Sequence, residues 1–405
     1  MNFRYLTAED ASELSQMLRY AFRSDKNNFE NLETKWEIER APRTLGLFDE
    51  DQMKACAVNL DYKLFLRGTW LKTAAIAGVA CRPEYRRQGL MKQLLKYLFR
   101  DIKEEEQPIS NLYPFHYPFY EKYGYRIAAD MEIITVPTHE IKIKPVKGIT
   151  AKLVEDQEFL EAAPQVYNKV VERYRFVFHR TEDMWKNISK YYKGFKFVFY
   201  RDDGSPAGYG ILKFDKYDWD NDPDEKSIFR MTDFCWDSPE AKQAVFNLLR
   251  NHDSQRKYVN FYTFDRHSLA YIRDLAAVKR EIKPGIMFRI VNVRSTLEQI
   301  RYPSGIQGSF KFALTDEFCP WNNQIFEVEI DSGKSTVEVI KDNQSLSNDH
   351  FQLDFKCDIG PLSQLIAGYL NYDKLVESGE ITRYSDNRIP LEAFPEQLNI
   401  PRDTF

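Results

Sequence analysis

Cysteine is scarce and scattered in this chain: among 405 residues there are five, Cys56, Cys81, Cys235, Cys319 and Cys357, with no CxxC pair. An odd, widely spaced set argues against a disulfide framework and against a thiolate zinc site. No metal is expected, and a reducing cytoplasm is the predicted location. An excess of charge of one sign is missing too, because 57 basic residues stand against 61 acidic ones for a net charge of -4. No global field therefore recruits nucleic acid. No uninterrupted apolar run approaches membrane-spanning length, and the opening MNFRYLTAEDASELSQML lacks a basic segment followed by an apolar core. Neither a membrane span nor a secretory leader is expected. Around Gly89 there are no three ordered glycines and no Gly-Lys followed by Ser or Thr, so neither common nucleotide loop is present.

What remains is a globular profile, 43% apolar and 29% charged, in a chain long enough for about two to four domains. The most informative stretch is RPEYRRQGLMKQLLKYLF, Arg82 to Phe99. Leu90, Leu94, Leu98 and Ile102 recur at four-residue intervals, with Met91, Leu95 and Phe99 beside them, which predicts an amphipathic helix entered at Gly89. The preceding WLKTAAIAGVAC, Trp70 to Cys81, reads as a central strand. Strand, basic turn, glycine and helix in that order leave first-turn amides free to face an anion. The alternative is an ordinary strand-to-helix turn that binds nothing.

The element order around this segment predicts an α/β (α+β) domain that closes near residue 145, before the linker KIKPVKG. A second unit, 146–288, repeats the order: ITAKLVEDQEFLEAAPQVYNKVVERY is strand then helix, FKFVFYRDDGSPAGYGILKFD a hairpin, and SIFRMTDFCW a strand leading to a helix capped by Ser238. Its glycine loop is not repeated. Trp236-Asp237-Ser238-Pro239 stands where the first copy has Arg86-Arg87-Gln88-Gly89, which predicts a duplicated fold whose second copy lacks the anion site. From 289 to 405 the strands GSFKFALTD, NQIFEVEID and STVEVI and the helical DIGPLSQLIAGYLNYDKLVESG predict a third α/β domain.

The segment from Gly78 to Tyr125 resembles the GCN5-related N-acetyltransferases, and more closely their enhanced-intracellular-survival (Eis-like) group. The superfamily pattern is Arg or Gln, two residues, Gly, one residue, then Gly or Ala; here it is Arg86, Arg87-Gln88, Gly89, Leu90, with Met91 in place of the last small residue. The duplication, a third domain similar to sterol carrier proteins and the ending PRDTF extend the resemblance over essentially the whole chain. It implies two tandem acetyltransferase folds followed by a sterol-carrier-like domain. It also implies acetyl-CoA as co-substrate, a primary amine on a small molecule or a lysine side chain as acceptor, and a homo-oligomer with a hexamer as the candidate form.

On that resemblance, the amides from Arg87 through Gln88, Gly89 and Leu90 to Met91 hold the pyrophosphate, with Arg82, Arg86 and Arg87 supplying positive potential. The edge Val79, Ala80, Cys81 pairs with the pantetheine arm. Cys81 as an acyl carrier is set aside, because it sits on a buried strand without a histidine partner. Tyr120 is similar to the tyrosine that protonates the leaving thiolate, while Tyr123 and Tyr125 read as packing residues and Gly124 as a turn. His116 is the histidine nearest the motif. The base in the resembling group is the α-carboxylate of the last residue, here Phe405. Phe22 and Trp36 are the expected acceptor-pocket residues. The competing readings are an acyltransferase that uses a longer acyl-CoA, and a lipid-binding or scaffolding protein whose third domain encloses an apolar cavity.

Overall fold

The computed structural model describes residues 1–22, 39–214, 228–262, 266–342 and 352–403. Contacts divide the chain into two compact units, one built from Met1–Ala129 with Ile286–Asn399, the other from Asp130–Gly285 with Ile400–Arg402. Among the described residues, no helix is long and apolar enough to cross a membrane.

The first unit opens with β1 (Asn2–Tyr5), the helix Ala11–Ala21, β2 (Thr44–Asp49), β3 (Gln52–Leu66) and β4 (Thr69–Cys81). β3 and β4 form a long antiparallel hairpin. Its turn residues Arg67 and Gly68 both have positive φ, 44° and 74°, as a two-residue turn needs to match the twist of its strands. The helix Leu90–Glu104 follows and buries Leu90, Leu94, Leu95, Leu98, Phe99 and Ile102, the face that the four-residue spacing predicts. β5 (Ile109–Leu112), the short helix Tyr117–Glu121 and β6 (Arg126–Ile127) complete this stretch.

In the second unit come β7 (Asp130–Pro137), β8 (Ile149–Val154), β9 (Val177–Phe178), β10 (Phe195–Arg201), β11 (Pro206–Phe214), β12 (Ile228–Trp236), β13 (Tyr258–Tyr262) and β14 (Lys279–Pro284). The helices are Asp156–Val170, Glu182–Tyr191 and Pro239–Arg250. The chain then returns to the first unit with β15 (Met287–Ile290). The first sheet runs β1-β2-β3-β4-β5-β15-β6 and the second β8-β10-β11-β12-β13-β7-β14. The two orders match, yet β15 fills the slot between β5 and β6, and β7 fills the slot between β13 and β14. Limits at 145 and 288 therefore need correction. The first assigns β7 to the wrong sheet, and the second falls inside β15. The physical reason is that an alternating strand pattern specifies a half-buried edge, not which sheet supplies its partner.

Also in the first unit, β16 (Gly308–Thr315), β17 (Gln324–Asp331), β18 (Lys334–Asp342), β19 (Phe355–Asp358) and β20 (Ile381–Arg383) form a third sheet in the order β18-β17-β16-β19-β20. Ring contacts run from Tyr302 through Phe394, Phe310, Phe355 and Phe312 to Phe326, and the Phe312 and Phe355 rings stack 5.0 Å apart. All six rings are buried, so aromatic packing forms part of the core of this domain.

Two buried arginines hold this domain to the first sheet within the unit. Arg67 donates to Ile366 O at 2.6 Å and Leu365 O at 2.8 Å, meeting the last carbonyls of the helix Ile359–Ala367 with a cation. Arg289, on β15 and fully buried, donates to both Asp316 carboxylate oxygens at 2.7 Å and to Tyr123 O. Asp316 in turn accepts from the Phe318 and Cys319 amides at 3.1 Å. Gly124 turns beside this pair with φ 82°. A Cβ there would meet Arg289 Nη1 at 2.5 Å, so only glycine fits. Asp316→Ala leaves the Arg289 charge buried and unpaired, and a loss of about 3 to 5 kcal/mol is expected. The urea midpoint of the variant reads that loss.

Candidate functional site

The site is built where β4 and β5 part. β5 pairs with β4 in parallel only from Thr73↔Ile109 to Ala75↔Asn111, while β4 runs on to Cys81. Beyond Ala75 the β5 side of β4 therefore presents backbone donors and acceptors to whatever enters the opening. On its other side β4 stays paired with β3, through a bulge at Gly78 and Val79 opposite Ala57. Gly78 has φ 55°, and a Cβ there would meet Val58 Cγ2 at 2.8 Å.

The basic turn closes the end of this opening. Arg87 and Gly89 both have left-handed backbones, φ 63° and 78°, and alternation of hand around Gln88 turns successive amides toward one side, an anion-binding nest. The first helical bond is Gln93 N to Gly89 O at 3.2 Å, so the earlier first-turn amides have no partner within the helix. A Cβ on Gly89 would meet nothing within 4 Å; the turn faces open space. These features fit a phosphate-bearing ligand held by main chain.

The side chains of the expected cofactor residues divide by task. Leu90 is buried in the core cluster with Ile76, Leu94 and Tyr120, and Val79, Cys81 and Met91 pack against it. Ala80 points the other way, into the cluster of Leu14, Met17 and Cys56. Arg86 donates from Nε to Cys81 O at 3.1 Å. Gln88 donates to Glu84 O at 3.2 Å, and Arg87 is exposed. Arg82 is committed elsewhere: Nη2 pairs with Glu13 at 2.7 Å and Nε donates to Met53 O at 2.8 Å. It braces the strand end against the helix Ala11–Ala21. The Glu13–Arg82 pair is a feature that sequence reading missed.

Tyr120 is 3% exposed, within an edge-on ring of Phe115, Phe119 and Tyr125. Burial pushes its phenol well above the ordinary value, and the neighbouring Tyr125 and Tyr123 add to this. Among the described residues the Tyr120 hydroxyl has no hydrogen-bond partner. The other two tyrosines are occupied by packing. The Tyr125 hydroxyl meets Ser110 Oγ at 2.6 Å, and the Tyr123 ring sits 4.9 Å from Phe318. Burial also raises the Cys81 thiol, which keeps it protonated and a poor nucleophile. His116 is exposed at the start of the helix Tyr117–Glu121.

Beside the end of β4 lies an open groove of about 470 Å³, lined by Gln16, Met17 and Tyr20 from the first helix and by Cys81 to Glu84. Phe22, at that helix's end, is 56% exposed and is not among these lining residues. Trp36 and Phe405 lie outside the described residues.

In the second copy the corresponding helix entrance is capped from within. Ser238 Oγ accepts from Ala241 N at 3.1 Å, and Pro239 opens the helix without an N–H. Asp237, its side chain 1% exposed, pairs with Lys169 at 2.6 Å and with Arg201. Burial works to raise the Asp237 carboxyl, but the bonds from Arg201 and Lys169 outweigh it and hold the group below its ordinary range. A fixed carboxylate stands at the entrance where the first copy has an open glycine turn.

Comparison with known proteins agrees with this architecture. The acetyltransferase (GNAT) domain family matches residues 2–128 and, in a second form, residues 176–317; a sterol carrier protein domain matches 293–397. An N-acetyltransferase of Streptomyces griseus, itself described as uncharacterized, is 25% identical over 151 residues, 36% of this chain and 36% of that protein. The match thus spans just over a third of that relative's length. Among solved structures, a GCN5-related N-acetyltransferase from Anabaena variabilis covers 100% of both chains with a TM-score of 0.86 and 20% identity. Eis1 from Mycobacterium abscessus also covers 100% of both, with a TM-score of 0.80 and 17% identity. Residues 2–128 and 176–317 are thus matched as GNAT acetyltransferase domains, and the chain shares its fold along its full length with GCN5-related N-acetyltransferases.

Proposed function

We propose that the protein is an N-acetyltransferase that moves the acetyl group of acetyl-CoA directly to a primary amine. The observation that carries this reading is the open edge of β4 leading to the unfilled turn at Gly89, set against the second copy's entrance, which Asp237 closes. Acetyl-CoA supplies the activated thioester. The amides from Arg87 to Met91 bind its pyrophosphate, with Arg86 and Arg87 adding positive charge. Val79 to Cys81 hold the pantetheine arm along the strand. As the acceptor nitrogen bonds to the acetyl carbon and the carbon–sulfur bond breaks, Tyr120 gives its proton to the departing sulfur. The α-carboxylate of Phe405 takes the proton that the ammonium loses. The 146–288 copy binds no cofactor, and assembly into a homo-oligomer in the cytoplasm belongs to the same proposal.

One exposed carboxylate supports the reading of the acceptor class. Glu84, exposed on the rim of the groove beside β4, offers a carboxylate to an ammonium; of the cations there, Arg82 is paired with Glu13 and Arg86 lies 5.9 Å from the centre of the Tyr20 ring. Multi-amine acceptors such as aminoglycosides and polyamines, or lysine side chains, suit such a rim. The buried, stacked rings inside the third domain favour a packed core there, and with it the acetyltransferase reading over the lipid-binding one.

The test is a thiol-release screen with acetyl-CoA against aminoglycosides, polyamines and lysine peptides. Multi-amine acceptors are expected to give the highest kcat/KM. Strong preference for a neutral monoamine would overturn the acceptor class, and release with longer acyl-CoA only would overturn the acetyl assignment.

A further inference from the structure

The second copy has its own parting of strands. β13 pairs with β12 only from Ile228↔Tyr258 to Met231↔Phe261, and β12 continues to Trp236. A bulge at Thr232 of β12, between Met231 and Asp233, matches the one on β4 between Ala77 and Ala80. The segment after it, Asp233–Trp236, is thus the counterpart of the β4 end proposed to hold the pantetheine arm. Here the chain itself occupies that edge. The Arg402 guanidinium, its side chain 1% exposed, donates to the Phe234 carbonyl, lies 3.5 Å from Asp233 Oδ1 and reaches Cys235 Sγ at 3.6 Å. Arg180 takes the same carboxylate through two bonds of 2.8 and 3.1 Å, and the Tyr209 hydroxyl donates to it at 3.2 Å.

The Asp233 carboxylate thus lies between two guanidiniums. The Phe234 carbonyl accepts from the Arg402 guanidinium, and the ring centres of Tyr167 and Tyr174 each lie 5.5 Å from its central carbon. Two residues earlier, Ile400 packs in the cluster of Phe234, Trp236, Phe246 and Phe261, and its N–H donates to Arg175 O at 2.9 Å. The segment is seated by backbone, apolar and charged contacts together.

The geometry points to a converted site: the pantetheine position of the second copy has become a socket for the chain's own Ile400–Arg402, which anchors the chain three residues before Phe405. Arg402 is then a positioning residue for the transfer reaction. That functional part rests on the proposed role of Phe405 as base; the socket itself does not.

Full-length Arg402→Leu tests both parts. Asp233 keeps its bonds from Arg180, so the fold is expected to hold. Hydrogen exchange at Ile400 and Arg402 and carboxypeptidase release of Phe405 should each rise at least tenfold. kcat should fall at least tenfold with acetyl-CoA affinity unchanged. Arg402→Lys, which keeps the charge but not the planar fork, should recover part of both, and it carries the same readouts should the Leu variant fail to fold. Unchanged exchange in the tail would overturn the socket, and faster exchange with unchanged kcat would overturn the positioning role. Because exchange is read without catalysis, protection by Arg402 in an enzyme that tolerates extension past Phe405 would sustain the socket and defeat only the base assignment.

Discussion

Gly89→Glu is expected to weaken acetyl-CoA binding by at least a hundredfold while leaving the fold in place. The two effects separate because a Cβ at Gly89 meets no protein atom within 4 Å. The cost to the fold is the strain of a side chain at φ 78°, about 1 to 2 kcal/mol. The cost to binding is electrostatic. Two like unit charges about 4 Å apart at a protein surface repel by about 4 kcal/mol, roughly a thousandfold in affinity before solvent screening reduces it. The second copy differs from such a variant, because its entrance carboxylate, Asp237, is paired with Lys169 and Arg201. Gly89→Ala serves as the companion, since it brings the strain without the charge and should bind acetyl-CoA more nearly like the parent. Calorimetric titration beside a thermal melt decides it. A folded Glu variant with parental affinity would remove the turn from the binding site.

The largest loss of turnover is expected from extending the chain beyond Phe405. Adding residues converts the Phe405 carboxylate into an uncharged amide while the aromatic ring stays, and loss of a general base costs typically about 10² to 10⁴ in rate. Acetyl-CoA binding should be unaffected, and acceptor KM must be measured beside kcat to separate lost chemistry from a blocked entrance. Tyr120→Phe probes the other proton. Because burial lifts the Tyr120 phenol above its ordinary value, the acid form persists as pH rises, and Tyr120 should contribute no alkaline fall in kcat below about pH 10. Tyr120→Phe should lower kcat at every pH in that range without changing the profile's shape. A well-folded extended protein with full turnover would take the terminal carboxylate out of the mechanism. An alkaline limb near pH 8 that disappears in the Phe variant would contradict a buried, persistently protonated Tyr120.

Local chemistry was readable from the sequence wherever a short stretch carries its own instructions. Leu90, Leu94 and Leu98 at four-residue spacing specify the buried face of the helix Leu90–Glu104. Ser238 followed by Pro239 specifies a capped helix start, and Gly124 marks a turn that no other residue fits. The contrast between the Gly89 turn and Asp237-Ser238-Pro239 was legible for the same reason, because it depends on residue types within a few positions of one another. What tertiary structure alone decided involves partners far apart in the chain. Which sheet receives β7 and which receives β15 depends on edge pairing that an alternating pattern does not encode. The point at which β5 leaves β4, and hence the opening itself, depends on a pairing between segments more than thirty residues apart. Arg67 at a hairpin turn caps a helix of the third domain, and Arg402 in the sequence PRDTF finds Asp233 on β12. In the sequence each is an ordinary charged residue. Only folding removes the water around them, and once buried a charge is stable only beside the group that compensates it.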